Sequence, residues 1–595
     1  MSESPRRTPP LRWRLRHILP YYRQNLWAFV LGFLLLVATS ATAALIPYLM
    51  KLATEALTHR GTNDTLQETV LILILVALLN AILRIRSRTH IFAIGRQVEY
   101  ALRKAYHAKL LSLDAAFFNR SKTGDLVARG NTDVLAVRMF IGPGFLQVAN
   151  TAMVYAVTLP VMIALNPTLT FLALLPFPII LGLTRLLTTR LYRLSRAVAD
   201  RFGLFSGFVQ EAVAGMAVIR AHAREEDWQR RFADEVQEIY SAQMRHTRLQ
   251  SLFGPLVLLA GGAGIWIILL VGGQEVMTGH LTVGDFVAFS GYLAILVWPT
   301  VGFGWILTVL QRGLAALERI SQVLDTEPFA LLPGEQGHAL PKVTLARGEI
   351  RVRGLHFAHN EPILHGIDLQ LPAGSFVGLA GRIGCGKTTL LHCLARLYAV
   401  PEGTVWLDGQ DLLSVPEEAL RQTVALAQQE SFLFSTTIRE NMTLGSPNAS
   451  EAEIWEAARM ACFDEEICRF PDQLDTLVGE RGITLSGGQR QRLSLARALL
   501  MDPAVLLLDD IFSSVDARTE ARILDNIHAL ADSRRRTIIL VCHRTAALHR
   551  AEAIYLLEKG RIAAQGTHAE LMRNAPLYQS LHQQMIRHEA LESLQ

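Results

Sequence analysis

The chain has 595 residues, 50% of them hydrophobic and 19% charged, with a formal net charge of +5 and a mean hydropathy of +0.26. It is too long for one core of about 100–200 residues and too apolar for a purely soluble protein, yet 58 Lys+Arg and 53 Asp+Glu are too many for a chain that is membrane throughout. Disorder, a disulfide scaffold and a collagen-like fibre are excluded, so the averages blend two unlike parts, which divide near residue 325.

Residues 1–24 read as a cytoplasmic segment. Arg6 to Arg16 is strongly basic with no cleavable signal after it, and Leu11–Arg23 alternates basic and apolar residues like an interfacial amphipathic helix. Residues 25–325 read as a membrane domain with six spans of about 20 apolar residues, near 25–50, 69–85, 145–166, 168–188, 251–273 and 284–310. One such run fits a buried soluble helix; six in 300 residues do not.

The connections alternate between short and long. Asn166-Pro167-Thr168 joins spans three and four, and a turn near Gly279 joins five and six, whereas about 60 residues separate two from three and four from five. The stretch 84–144 holds 11 Lys/Arg against 4 Asp/Glu, 185–248 holds 11 against 8, and the outer loops hold only Lys51 and Arg60. Basic excess marks the cytoplasmic side, so both long connections and both termini lie inside. The +5 is a topology signal and calls for no nucleic-acid partner. Residues 92–113 and 192–250 have helical composition, with turns expected around Phe117–Asp125 and Glu211–Arg220, and read as levers extending into the cytosol. The spans are nearly free of ionisable residues at depth, which argues against an ion-coupled carrier and fits an apolar or amphipathic small-molecule or lipid cargo, with membrane lipid as the surrounding partner.

After a linker at 326–345 the character changes to mixed α/β over 346–585, followed by a tail at 586–595. All five cysteines fall here, an odd number with no metal-ligand spacing, which points to a reduced cytosolic compartment. The strand-like Phe376–Ala380 leads into Gly381-Arg382-Ile383-Gly384-Cys385-Gly386-Lys387-Thr388, then a helix from Thr389. This is a phosphate loop in its strand–loop–helix setting. Its glycines (Gly381, Gly384, Gly386) and Cys385 let backbone N–H groups wrap phosphates at a helix N-terminus. Lys387 meets the β/γ-phosphates of ATP, and Thr388 ligates Mg²⁺. A second apolar strand, Val505–Leu508, ends in Asp509, placed to hold Mg²⁺, and Asp510, at the position of a general base. Between them Leu485-Ser486-Gly487-Gly488-Gln489 opens another phosphate-binding helix.

With six upstream spans, these motifs resemble the ATP-binding-cassette (ABC) transporters, in exporter order and over nearly the whole chain, and bacterial multidrug-resistance-like half-transporters in particular. The resemblance implies an exporter-type, domain-swapped helical bundle with long cytoplasmic helices, fused to an α/β P-loop nucleotide-binding domain. It also implies a multi-pass protein of the bacterial inner membrane with the nucleotide domain cytoplasmic. It makes Gln429 the Q-loop residue, catalytic and metal-ligating, and His543 the catalytic switch histidine. Ser513-Ser514-Val515-Asp516 matches the D-loop, with Asp516 among the nucleotide-site residues, Leu485–Gln489 is the signature, and His359 stands where an aromatic stacks on adenine. Two such domains sandwich two ATP molecules, each held by one chain's phosphate loop and the other's signature, so this chain is half of a dimer.

Two positions depart from the family pattern: Asp510 replaces the usual Glu, and His359 replaces the usual aromatic. With the signature intact and the base shortened, the expectation is the degenerate-site half of a heterodimer, paired with a second half-transporter that has the Glu. A homodimer, an exporter-shaped importer and an ATP-gated channel or regulatory subunit stand as alternatives. The signature is shared with ATPases of DNA maintenance, but these carry no six spans.

Overall fold

The computed structural model describes residues 16–58, 63–327, 347–358, 361–534, 536–542 and 544–592. They form two units: one of the residues up to Leu111 with Thr123–Thr326, the other of Ser112–Lys122 with the chain from Glu327 onward. Positions 11–15 of the expected amphipathic segment and most of the linker lie outside the described residues.

In the first unit, five helices are long and apolar enough to cross a bilayer: Leu26–Thr58, Asp64–Leu111, Thr123–Leu165, Pro167–Ala214 and Val283–Leu324. A helix of 48 residues runs about 72 Å at 1.5 Å per residue, more than twice a hydrocarbon core of about 30 Å. Positions 92–111 therefore extend the second span without a break. The run 251–273, expected as one span, is divided into Phe253–Ile267, a π-helical turn Ile268–Gly272 and Gly273–Met277. Its glycines favour this: they weaken helix locally and admit close neighbours, as at Gly272, where an added Cβ would lie 3.3 Å from Leu169.

Local chemistry sets the ends of the spans. The Asn166 side chain accepts from the Leu169 N–H, with Pro167 at the first helical position. Thr282 and Asp285 form a capping box that opens the last long helix, and Asp285 pairs with Lys51 at 2.7 Å, which engages one of the two basic residues of the outer loops. Inside the bundle, buried Asn80 donates to the Thr39 carbonyl and the Thr42 hydroxyl, and the Tyr292 hydroxyl donates to the Ala44 carbonyl. The Arg319 guanidinium clamps Asp133 with two bonds of 2.8 and 2.6 Å. The second cytoplasmic connection bends at Gly215 and again at His222–Arg224, between helices Pro176–Ala214, Met216–Ala221 and Glu225–Ser251.

The second unit holds two sheets. One is antiparallel, ordered β2-β1-β4-β5, from β1 (Ile350–Ala358), β2 (Pro362–Leu371), β4 (Val405–Leu407) and β5 (Gln410–Asp411). The other is ordered β10-β9-β3-β8-β7-β6, from β3 (Phe376–Gly381), β6 (Val424–Ala427), β7 (Val505–Asp509), β8 (Thr537–Val541), β9 (Ala553–Glu558) and β10 (Arg561–Gly566). All its neighbours are parallel except β9 with β10. Strands β3, β7 and β8 are buried at every position, which their unbroken Val/Leu/Ile-rich runs require in a sheet covered on both faces. The segment expected as a turn near Phe117 is instead a short helix, Ala115–Arg120, capped by Asp114. It folds into this unit: Asn119 donates to the Tyr398 hydroxyl at 3.2 Å, and Ala115 packs on the core around β1 and β2. At the other end, helix Pro576–Glu592 runs on through positions 586–592, read from sequence as tail.

One buried amide organises the chain after the Q-loop. Asn441 is 1% exposed; its oxygen accepts from the Phe434 N–H and from Arg497, and its nitrogen donates to the Phe434 carbonyl, the Thr436 hydroxyl and the Thr437 carbonyl. Asn441→Ala strands several of these groups without partners, at a cost of about 2–3 kcal/mol. The expected outcome is a drop of several degrees in the unfolding temperature of the full chain in detergent, read by intrinsic fluorescence.

Candidate functional site

The site is assembled at the carboxyl end of the parallel strands, where open α/β sheets bind ligands. Strand β3 runs straight into the phosphate loop. Gly386 sits at φ +104°, a conformation that a residue with Cβ adopts only under strain, and opens helix Lys387–Leu394. Lys387 is 6% exposed, and its ammonium donates to the Gly381 and Arg382 carbonyls at 2.8 and 3.1 Å. Burial pushes its pKa down, opposed by Cys385, Asp509 and Asp510. Gly384 has open space where a Cβ would stand. Thr388 is exposed and Thr389 half-buried. The Cys385 side chain is buried, and its N–H bonds the Arg382 carbonyl.

Two strands away, Asp509 ends β7 at 2% exposure. Burial pushes its carboxyl above the usual range, while the bond from the Thr388 hydroxyl draws it down. Its Oδ2 is buried with no hydrogen-bond partner among the described residues. A carboxylate oxygen left unpaired beside a hydroxyl is the donor set a hard cation takes, so these residues fit Mg²⁺. Asp510 follows at φ +46°, its N–H bonded to the Val541 carbonyl and its carboxylate accepting from the Gln429 amide at 3.2 Å. Thus Lys387, Thr388, Gln429, Asp509 and Asp510 are brought to one place. His359 and His543 lie outside the described residues.

The signature forms a second cluster. Ser486 caps helix Gly487–Leu500 in a capping box with Gln489: its hydroxyl accepts from the Gln489 N–H and its own N–H donates to the Gln489 side chain. Leu485, expected among the nucleotide-binding residues, is instead 4% exposed and packs in the apolar core. Asp516 caps helix Ala517–Arg534 by accepting from the Thr519 N–H at 2.9 Å, bonds that hold its carboxyl below the usual range. Sequence reading missed the residue that joins signature and D-loop. Gln491 donates to the Ser513 hydroxyl at 2.6 Å and accepts from the Ser514 N–H at 2.9 Å. Gly488 lets the two approach, since a Cβ there would stand 2.7 Å from the Ser514 carbonyl. The only signal in the sequence was an amide one turn into the signature helix.

Comparison with known proteins agrees with this geometry. Residues 29–300 match the model of the ABC transporter transmembrane region, and 364–513 match the ABC transporter model. The chain is 34% identical over 492 residues to the probable multidrug resistance ABC transporter ATP-binding/permease protein YheI of Bacillus subtilis (strain 168), covering 82% of this chain and 83% of that one. It is 31% identical over 586 residues to the multidrug resistance-like ATP-binding protein MdlA of Escherichia coli (strain K12), covering 98% and 97%, and 30% identical over 495 residues to the ATP-dependent lipid A-core flippase of Syntrophus aciditrophicus (strain SB), covering 82% and 81%. Among solved structures, a bacterial Atm1-family ABC exporter with ATP bound superposes with a TM-score of 0.74 at 26% identity, over 94% of this chain and 98% of that one.

The chain belongs to the ABC transporter family, with the exporter arrangement of membrane and ATP-binding regions. It is an ATP-binding, transport-coupled ATPase and a multi-pass inner-membrane protein with a cytoplasmic nucleotide-binding domain, in a family whose exporters work as dimers.

The thiols offer a check on this unit. Burial pushes both Cys393 and Cys542 up to about 12, so at pH 8 only about one in ten thousand is thiolate, whereas Cys468 is exposed. Maleimide at pH 8 is expected to label Cys468 rapidly and to leave Cys393 and Cys542 untouched until the protein is denatured, as read by peptide mass spectrometry.

Proposed function

We propose that the chain drives export of amphipathic molecules bearing an anionic group, as one half of a heterodimer in which its own phosphate-loop site turns over slowly. The cargo reading rests on a cavity of about 990 Å³ within the membrane unit. Leu146, Ile295 and Trp298 line its apolar side, while Arg84, Arg88 and Arg312 line it with charge and, among the described residues, no carboxylate does. This refines the apolar cavity expected from sequence: the arginines close to the span ends converge on it. Arg312 lies over the Tyr192 ring at 5.2 Å. Cations gathered along one cavity repel one another, and an anionic guest relieves that cost while its tail covers the apolar wall. Relatives named for multidrug resistance and for lipid A-core flipping suit cargo of this breadth.

The slow site rests on Asp510. Lys387, held by two loop carbonyls, is poised to transfer its donors to phosphate oxygens, and Gln429 orients the Asp510 carboxylate through its amide. Thr388, Gln429 and Asp509 are the residues that hold Mg²⁺, which when bound offsets phosphate charge. Asp510 polarises the attacking water, but its carboxylate stands back from the position of a Glu by one C–C bond, about 1.5 Å. A displacement of about 1 Å costs on the order of 100-fold in rate. The intact Ser486–Gln489 signature then completes a competent site on a partner that carries Glu.

Two outcomes test the proposal. Purified alone in nanodiscs, the chain is expected to hydrolyse ATP slowly, with Asp510→Glu raising turnover by at least about tenfold; fast wild-type turnover abolished by Asp510→Ala sinks the heterodimer. For cargo, ATPase stimulation is expected from an anionic amphipath and not from its cationic counterpart of equal chain length, and Arg84→Ala with Arg88→Ala is expected to weaken the apparent affinity about tenfold. Equal stimulation by both amphipaths overturns the anionic reading.

A further inference from the structure

Three histidines outside the ATP site meet in the second unit. His549 ends helix Thr545–His549, which begins just past the switch position; His568 opens helix His568–Asn574; His582 lies in helix Pro576–Glu592. Their ligand nitrogens all lie within 4.8 Å of one another. The Nε2 atoms of His549 and His582 are 3.5 Å apart, close to the separation of about 3.3 Å that two imidazole nitrogens take on a tetrahedral ion with bonds near 2.05 Å. We propose that these three side chains form a binding site for a borderline divalent transition-metal ion, Zn²⁺ by preference, that staples the helix after the switch position to the two C-terminal helices.

The surroundings support an ion rather than a simple stack. The Tyr578 hydroxyl is 2.8 Å from His568 Nδ1. Tyr578 is 1% exposed and burial pushes it up to about 12, so it stays a neutral hydroxyl. If Nδ1–H donates to it, Nε2 of His568 keeps its lone pair for an ion, and the bond to Tyr578 is the kind of orienting bond that metal-ligating histidines commonly make. Arg550, adjoining His549, pairs with Asp525 at 2.6 Å, so its charge is compensated. His582 is buried, His568 half-buried and His549 exposed, which leaves a fourth position open to water. Three imidazole nitrogens, with no carboxylate in the cluster among the described residues, select zinc-like ions over Mg²⁺ or Ca²⁺. The His549 and His568 rings, 3.7 Å apart at their centroids, must slide slightly to share an ion.

The test uses the full chain in detergent, free of any polyhistidine tag. Zinc titration with competition by a chromophoric chelator is expected to find one Zn²⁺ per chain that survives in the presence of excess Mg²⁺ and ATP. Co²⁺ in its place is expected to show the strong visible absorption of a four-coordinate ion. His549→Ala changes an exposed residue, so it is expected to keep the zinc-free unfolding temperature while weakening zinc binding at least about tenfold and erasing the zinc-induced rise in that temperature. His568→Gln is expected to do the same to binding. Zinc binding equal in the wild type, His549→Ala and His568→Gln, or no zinc binding by the wild type, overturns the site.

Discussion

The nucleotide unit depends on the parallel register of four strands. Leu379 of β3 is level with Val541 of β8, which is level with Asp509 of β7, and Leu508 of β7 is level with Ala427 of β6. Below that line β3, β7 and β8 are enclosed throughout and β6 nearly so; above it the chain turns polar at once. Each strand therefore delivers chemistry to one edge: the phosphate loop from β3, Gln429 from β6, Asp509 and Asp510 from β7. A slip of one residue in any strand would bury a carboxylate or expose a leucine, so the pressure to keep the core dry is also what gathers the site. Burial then acts on the groups themselves. It disfavours the charge on both Lys387 and Asp509, and each is held by its neighbours until phosphate and cation take over.

The membrane unit obeys a different constraint. Lipid supplies no hydrogen bonds, so polar groups must be satisfied within the bundle, as Asn80 and Tyr292 are. Arg84, Arg88 and Arg312 differ, since they line a cavity that holds no acid among the described residues. Their positive charge contributes to cytoplasmic orientation and, in the proposed reading, to the choice of cargo.

Signature and D-loop are held together by Gln491, whose one amide bonds both Ser513 and Ser514. The three histidines lie in the neighbouring region, between the segment after β8 and the last helices, and an ion there would set how freely that segment moves.

Much was legible in the linear chain because its signals are local. Twenty-residue apolar runs, basic excess on alternate loops, a glycine-rich loop after a strand and a strand ending in two carboxylates each carry their physics within a few residues. So the two-part architecture, the orientation, the family and the cluster of Lys387, Thr388, Asp509 and Asp510 could be read directly. What the tertiary structure decided were relations between distant positions. It turned Leu485 inward and made Asp516 a helix cap. It folded Ala115–Arg120 into the nucleotide unit, brought Arg84 and Arg88 of one helix and Arg312 of another to one cavity, and brought together His549, His568 and His582, which are 19 and 14 residues apart. Such proximity is created by packing, and no period or motif along the chain encodes it.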